Sequence, residues 1–133
     1  MRVVIDTNVW ISRLLLANSP AGQAVDKALA EAEVVVSEAT VEELAGVLAR
    51  RKFDKYVSVP DRQDFLRRLL RIATMVPVLS EVSDCRDPND NRFLALAFDS
   101  ESEVIVTGDD DLLALNPWRG IAIVSPRAFL EMP

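Results

Sequence analysis

Histidine is absent from the 133-residue chain, and that absence narrows the chemistry before any motif is read. It removes Ser-His and Cys-His nucleophile pairs and any two-histidine acid–base couple. The single cysteine, Cys85, has no second thiol to pair with, and without histidine no zinc-ligand spacing exists. The four glycines form neither a P-loop nor a dinucleotide fingerprint, so no cofactor signature of that kind is present. Carboxylates, Lys, Tyr or a hard metal ion must carry any catalysis. The carboxylates are crowded: Asp6 closes an apolar run, Asp87 and Asp90 stand together, and Asp109, Asp110 and Asp111 are consecutive. Mutual repulsion would raise their pKa values and destabilise the site unless cations neutralised them. Oxygen-only donors favour Mg²⁺ or Mn²⁺, which keep several waters for a substrate phosphate.

Charge is distributed unevenly around this centre. The net charge of -6 argues against broad nonspecific nucleic-acid binding, which usually shows as a basic domain. Yet Arg50 to Arg71 carries eight of the 15 basic residues against three acids, whereas Asp84 to Asp111 carries nine acids against Arg86 and Arg92. A basic face beside an acidic centre suits an enzyme that holds metal ions next to a polyanion. A solvated helix face accounts for the basic stretch equally well.

The elements that must position these acids follow from apolar periodicity. Arg2 to Ile5, Val34 to Val36, Val104 to Thr107 and Ile121 to Val124 are short β-branched runs that read as strands buried on both faces. Val76-Pro77-Val78-Leu79 resembles an edge strand, where proline costs least. Helical patterns run from Val9 to Leu16, with Thr7 and Asn8 available as caps, and from Ala21 to Ala32 beyond the break at Asn18-Ser19-Pro20. Ser37 caps a helix with Val41, Leu44, Ala45 and Leu48 on one stripe, and Asp61 is expected to cap the next. Asp87-Pro88 starts another helix, with Asp87 as the cap, and Ser125-Pro126 opens the last. The alternation predicts a single α/β domain over residues 1–133 with helices on both faces of a mostly parallel sheet. Ligands of such sheets sit at the carboxyl ends of the strands near a switch point. Asp6 and Asp109 both end strands there; either alone would be an ordinary helix cap.

The same residues resemble a known family. Val3-Val4-Ile5-Asp6-Thr7-Asn8-Val9, Ser37 to Leu44, Arg86 to Ala97 and Val106 to Leu113 look like the successive acidic motifs of PIN domains. They lie in order along the whole chain. The likeness is to bacterial PIN proteins regarded as toxin components of toxin-antitoxin systems, related to the VapC ribonucleases. The resemblance implies a PIN-like three-layer α/β/α fold with Asp6, Glu43, Asp90 and Asp109 as catalytic, metal-binding acids. Asp111 would assist, and Thr7, Asn8 and Thr107 would support them by hydrogen bonding. Helical periodicity sets Glu43 opposite the apolar stripe, as an exposed residue competing with Glu42; the family pattern, an acid directly before the leucine, selects Glu43. Related proteins often carry an acid where Asn91 stands, so the third ligand falls at position 90 or 91.

These readings predict a divalent-metal-dependent endoribonuclease in which Mg²⁺ or Mn²⁺ activates water for an in-line displacement. By resemblance, the substrate is single-stranded or loop RNA, the products carry a 5′-phosphate and a 3′-hydroxyl, and the partners are a cognate antitoxin and a second copy of the chain. Arg50 to Arg71 would track the backbone. Trp10, Leu14 to Leu16 and Trp118 are either exposed dimerisation candidates or core. The alternative keeps the fold but drops the chemistry, leaving a domain that only binds RNA or protein. A phosphoacceptor receiver needs a lysine after a late strand, and the lysines are Lys27, Lys52 and Lys55. A haloacid-dehalogenase-like phosphatase needs an acid at position 8, which is Asn8. No apolar run approaches the roughly 20 residues that span a bilayer, and the start turns acidic too early for a signal peptide, so a cytoplasmic location is expected.

Overall fold

A run such as Val3-Val4-Ile5, with no polar residue to face water, is stable as a strand only if something covers both its sides. In the computed structural model, which describes residues 1–133, five such strands form one sheet. They are β1 (Arg2–Ile5), β2 (Glu33–Val36), β3 (Thr74–Met75), β4 (Val104–Val106) and β5 (Ala122–Val124). All pair in parallel, in the order β3-β2-β1-β4-β5. Helices α1 (Thr7–Leu15) and α2 (Pro20–Glu31) connect β1 to β2, and α3 (Glu38–Leu48) and α4 (Val59–Ile72) connect β2 to β3. Helix α5 (Asn91–Asp99) leads into β4, α6 (Asp110–Leu113) into β5, and α7 (Pro126–Glu131) follows.

The period-two alternation of strand side chains divides the core in two. Val3, Ile5, Val34, Val36, Val104 and Val106 point to one side, where α1, α2, α3, α4 and α7 cover them with residues such as Trp10, Val25, Leu44, Leu69 and Phe129. Val4, Val35, Ile105 and Ile123 point to the other, under Phe93, Leu94 and Leu96 of α5, Leu112 of α6 and Trp118. This is the expected three-layer α/β/α arrangement, with a sheet that is wholly parallel.

Local differences from the sequence reading have local causes. The fourth helix is capped by Ser58, whose hydroxyl accepts from the Asp61 amide at 3.2 Å, so Asp61 sits in the first turn instead of capping it. Thr7 is already helical, and its hydroxyl turns to Glu43 instead of serving as a cap. The strand expected at Val76 to Leu79 stops at Met75, because β2 ends at Val36 and offers one last carbonyl, taken by the Val76 amide at 2.8 Å. The amides of Leu79 and Ser80 go to the Asp99 carboxylate instead, at 2.7 and 2.9 Å. Trp10 and Trp118 are core residues, and Leu14 and Leu15 pack against the core. Of that apolar set only Leu16, 65% exposed, faces solvent.

Gly22 and Gly46 are both helical, and the structure separates them. A methyl group on Gly22 would run into the Ala17 carbonyl, since the turn after α1 lies directly on α2, whereas nothing approaches Gly46 within 4 Å. Gly22→Ala should therefore cost about 1–3 kcal/mol through overpacking, and Gly46→Ala should gain up to about 1 kcal/mol of helix propensity. Urea unfolding of the two variants checks both signs, and equal effects would contradict the packing described here.

Candidate metal-binding active site

The site begins where β1 and β4 end side by side. Asp6 continues the ladder, its amide donating to the Val106 carbonyl at 3.0 Å, and its own carbonyl receives the Val9 and Trp10 amides that start α1. The backbone of Asp6 thus fills the N-cap position, but its side chain caps nothing. That carboxylate, only 4% exposed, is turned across the strand ends to accept the Thr107 hydroxyl at 2.7 Å. Burial raises the Asp6 pKa, with Glu43 and Asp109 adding repulsion and the Thr107 hydrogen bond opposing both.

Thr107 also joins Asp6 to Asp109. Its hydroxyl oxygen accepts the Asp109 amide at 3.0 Å while its proton goes to Asp6. The Asp109 carboxylate caps α6 through the Asp111 amide at 2.8 Å. It is a cap and a member of the cluster together, so the ordinary reading of a strand-end aspartate holds for Asp109 but not for the Asp6 side chain.

Asp90 arrives from the turn before α5. Asp87 caps that turn through the Asn89 amide at 3.0 Å, as its sequence position suggests. The turn carries Asp90 inward until it is 7% exposed, within hydrogen-bonding reach of Asp109. Its pKa is pushed up to about 8, first by burial, then by the hydrogen bond and charge of Asp109 and the charges of Asp6 and Asp87. Its Oδ2 is buried with no hydrogen-bond partner. Asn91 faces elsewhere, its Oδ1 accepting the Cys85 amide at 2.8 Å, so of the two neighbouring positions it is 90 that meets the other acids. Cys85 lies buried beneath; burial and the charges of Asp90, Asp109 and Asp111 push its thiol pKa up.

Glu43 enters from α3. It is half-buried rather than exposed, accepts the Thr7 hydroxyl at 3.2 Å and stands 3.8 Å from the Arg92 guanidinium, whereas Glu42 is exposed. The helical wheel missed this because it registers a helix's apolar stripe and not a polar neighbour at the helix flank. Asp111 is half-buried on the first turn of α6. Asn8 is exposed on α1 and takes no part in these hydrogen bonds, since its position on the first turn directs it to solvent. Arg92 is the residue the sequence reading passed over. Its place inside the third acidic motif was the available signal.

Whether a divalent ion suits this set can be judged from Asp90. As the side chains stand, no three acids close around a common point as a formed metal site does. Like charges so close together repel one another unless a cation or a proton answers them. The unpartnered Oδ2 of Asp90 is an acceptor without a donor, and every other donor in the cluster is a hard oxygen. An all-oxygen donor set of this kind suits a hard divalent cation better than a soft one.

The PIN domain family matches residues 2–111, a span that contains all of these acids, and the chain belongs to that family. An uncharacterised protein of Methanocaldococcus jannaschii is 32% identical over 117 residues, 86% of this chain and 75% of that one. Among solved structures, VapBC2 from Rickettsia felis, bound to a promoter DNA fragment, contains a similar chain. It matches with a TM-score of 0.64 at 11% identity, covering 94% of this chain and 98% of that one. FitAB bound to IR36 DNA matches with a TM-score of 0.60 at 19% identity, covering 94% and 95%. No helix is long and apolar enough to cross a membrane.

A carboxyl whose folded pKa lies above its unfolded value of 3.8 favours the folded state at low pH and loses that contribution as pH rises. In EDTA, thermal stability should therefore fall between about pH 4 and about pH 8, the window set by Asp90, with Asp6 adding in the same direction. Melting curves of Asp90→Asn should show a shallower fall. An unchanged profile in that variant would remove Asp90 as the cause.

Proposed function

We propose that this chain is a divalent-metal-dependent endoribonuclease acting as the toxin of a toxin-antitoxin pair. The observation that carries the reading is that Asp6, Glu43, Asp90 and Asp109 are electrostatic neighbours around the ends of β1 and β4, without closing on one point, and that the two most buried of them carry raised pKa values. Such a cluster is costly for a protein that never binds a cation there. Membership of a family whose members are generally nucleases supports the hydrolytic assignment. Similarity of fold to chains in the VapBC2 and FitAB complexes, with the VapC-like motifs, supports an antitoxin partner; a homodimer belongs to the same reading.

In this assignment Asp6, Glu43, Asp90 and Asp109 hold Mg²⁺ or Mn²⁺, and Asp111 assists from α6. When bound, the ion supplies Lewis acidity and a water of lowered pKa for attack on an RNA phosphodiester. The chain's residues do the rest. Thr107 holds Asp6 by donating its proton and fixes the start of α6 by accepting the Asp109 amide. Thr7 orients Glu43. Burial of Asp6 and Asp90 keeps their oxygens from being spent on bulk water.

Asp6→Asn should lower Mg²⁺-dependent cleavage of single-stranded RNA by about a hundredfold or more, equivalent to roughly 3 kcal/mol of transition-state stabilisation. The wild-type products should carry a 5′-phosphate and a 3′-hydroxyl. Intact cleavage in a clean preparation of the variant would end the proposal. Calorimetric titration with Mg²⁺ distinguishes a binding-only PIN domain, which would give no heat at this cluster. Thr107→Val keeps the shape but loses the hydroxyl, and should cost about 10–100-fold in metal affinity or activity, read by the same calorimetry and cleavage assay.

A further inference from the structure

The acidic cluster poses a problem for any polyanionic substrate, and Arg92 is where the structure answers it. Among the chain's ion pairs, only Arg92–Glu43, at 3.8 Å, includes a member of the cluster. Three cations of the basic stretch are already engaged elsewhere. Arg62 is 3% exposed and holds the Leu48 and Arg50 carbonyls and Asp54 at the far end of α3. Arg67 and Arg68 both pair with Asp64.

Arg92 is held rather than free. Its Nε donates to the Asn89 carbonyl at 2.8 Å, and its Nη1 reaches the Ala39 carbonyl at 3.4 Å. Nη2 makes no hydrogen bond within the chain, and the side chain keeps 29% of its surface exposed. It also lines an open depression of about 300 Å³ with Ser37, Ser80, Glu81 and Asn91, which none of the four acids enters, so its contact with the cluster is the one to Glu43. A larger neighbouring depression carries Glu38 and Glu42 and no cation. A pre-positioned guanidinium with spare donors is a phosphate ligand of the better kind, because its fork is already ordered. The charge arithmetic points the same way: a cation taken up by Glu43 would leave the Arg92 charge without its present partner.

We propose that Arg92 contacts the RNA substrate directly, binding a backbone phosphate beside the one to be cleaved. This rests on the nuclease reading for its biological meaning, but its test is one of binding. Labelled single-stranded oligoribonucleotide is titrated by fluorescence anisotropy at several salt concentrations with Mg²⁺ present, in an Asp6→Asn background to suppress cleavage. Arg92→Gln should weaken binding about tenfold, the ordinary worth of a charged hydrogen bond, and reduce the slope of log K against log salt by about 0.7, one single-strand phosphate. Arg92→Lys should keep the slope while losing part of the affinity. Mg²⁺ affinity of Arg92→Gln in the otherwise wild-type chain, measured by calorimetry, should be unchanged or tighter, because a nearby positive charge is gone.

Unchanged RNA affinity and slope in Arg92→Gln would overturn the proposal. So would weakened Mg²⁺ binding, which would mean that Arg92 acts only by positioning Glu43. If the Asp6→Asn protein binds no RNA the proposal also falls, with the nuclease reading left to the cleavage assay. If the wild-type chain binds RNA through Arg92 but does not cut it, the nuclease reading falls and this one stands.

Discussion

Asp6 is removed almost wholly from water at the junction of β1 and β4, and an ionised carboxylate there is costly unless other groups answer its charge. The nearest answer is the hydroxyl of Thr107, helped by the Thr7 amide. It cannot neutralise a charge, and its neighbours Glu43 and Asp109 add to the repulsion. The protein holds this strained electrostatic arrangement because the backbone around it is over-determined. Asp6 is tied into the β1–β4 ladder by its amide and into α1 by its carbonyl, while the strand behind it is packed on both faces.

The same construction explains why the cluster is shared among four separated segments. A parallel sheet delivers all its strand ends to one edge, and the change of direction between β1 and β4 opens that edge to a ligand. Asp6 and Asp109 follow the ends of the central strands β1 and β4, Glu43 comes from the helix after β2 and Asp90 from the turn before α5. Each has a local partner that fixes its direction: Thr107 for Asp6, the Asp111 amide for Asp109, Thr7 for Glu43. Asp90 alone among them has a fully buried oxygen with no partner, and it is also the group whose pKa rises to about 8. Rigidity and electrostatic cost are therefore concentrated at one place, as expected of a site held ready for a charged ligand.

Arg92 and Cys85 show how the surroundings extend the site. Arg92 brings a cation to an otherwise acidic edge while anchored to carbonyls of α3 and the 89 turn. Cys85, buried below the acids, is kept as a neutral thiol by burial and by their charge. Its presence among acids does not make it a nucleophile, because the same field that repels further anions disfavours the thiolate.

Apolar periodicity and the punctuation of Ser, Asp and Pro were enough to determine the strands, most helix starts and the α/β layering, because those depend on residues close in sequence and on which faces must leave water. They were also enough to set Asp6 and Asp109 at one sheet edge. They failed at Val76 to Leu79, where a strand needs a partner long enough to pair with, and at Asp61, where two polar residues competed to start a helix. Periodicity left Glu43 on an exposed face and left positions 90 and 91 equal. Tertiary structure decided both, by setting Thr7 and Arg92 beside Glu43 and by giving Asn91 to the Cys85 amide. The cost carried by Asp6 and Asp90 is likewise absent from the sequence, since desolvation and repulsion arise only when segments distant along the chain are brought to one edge.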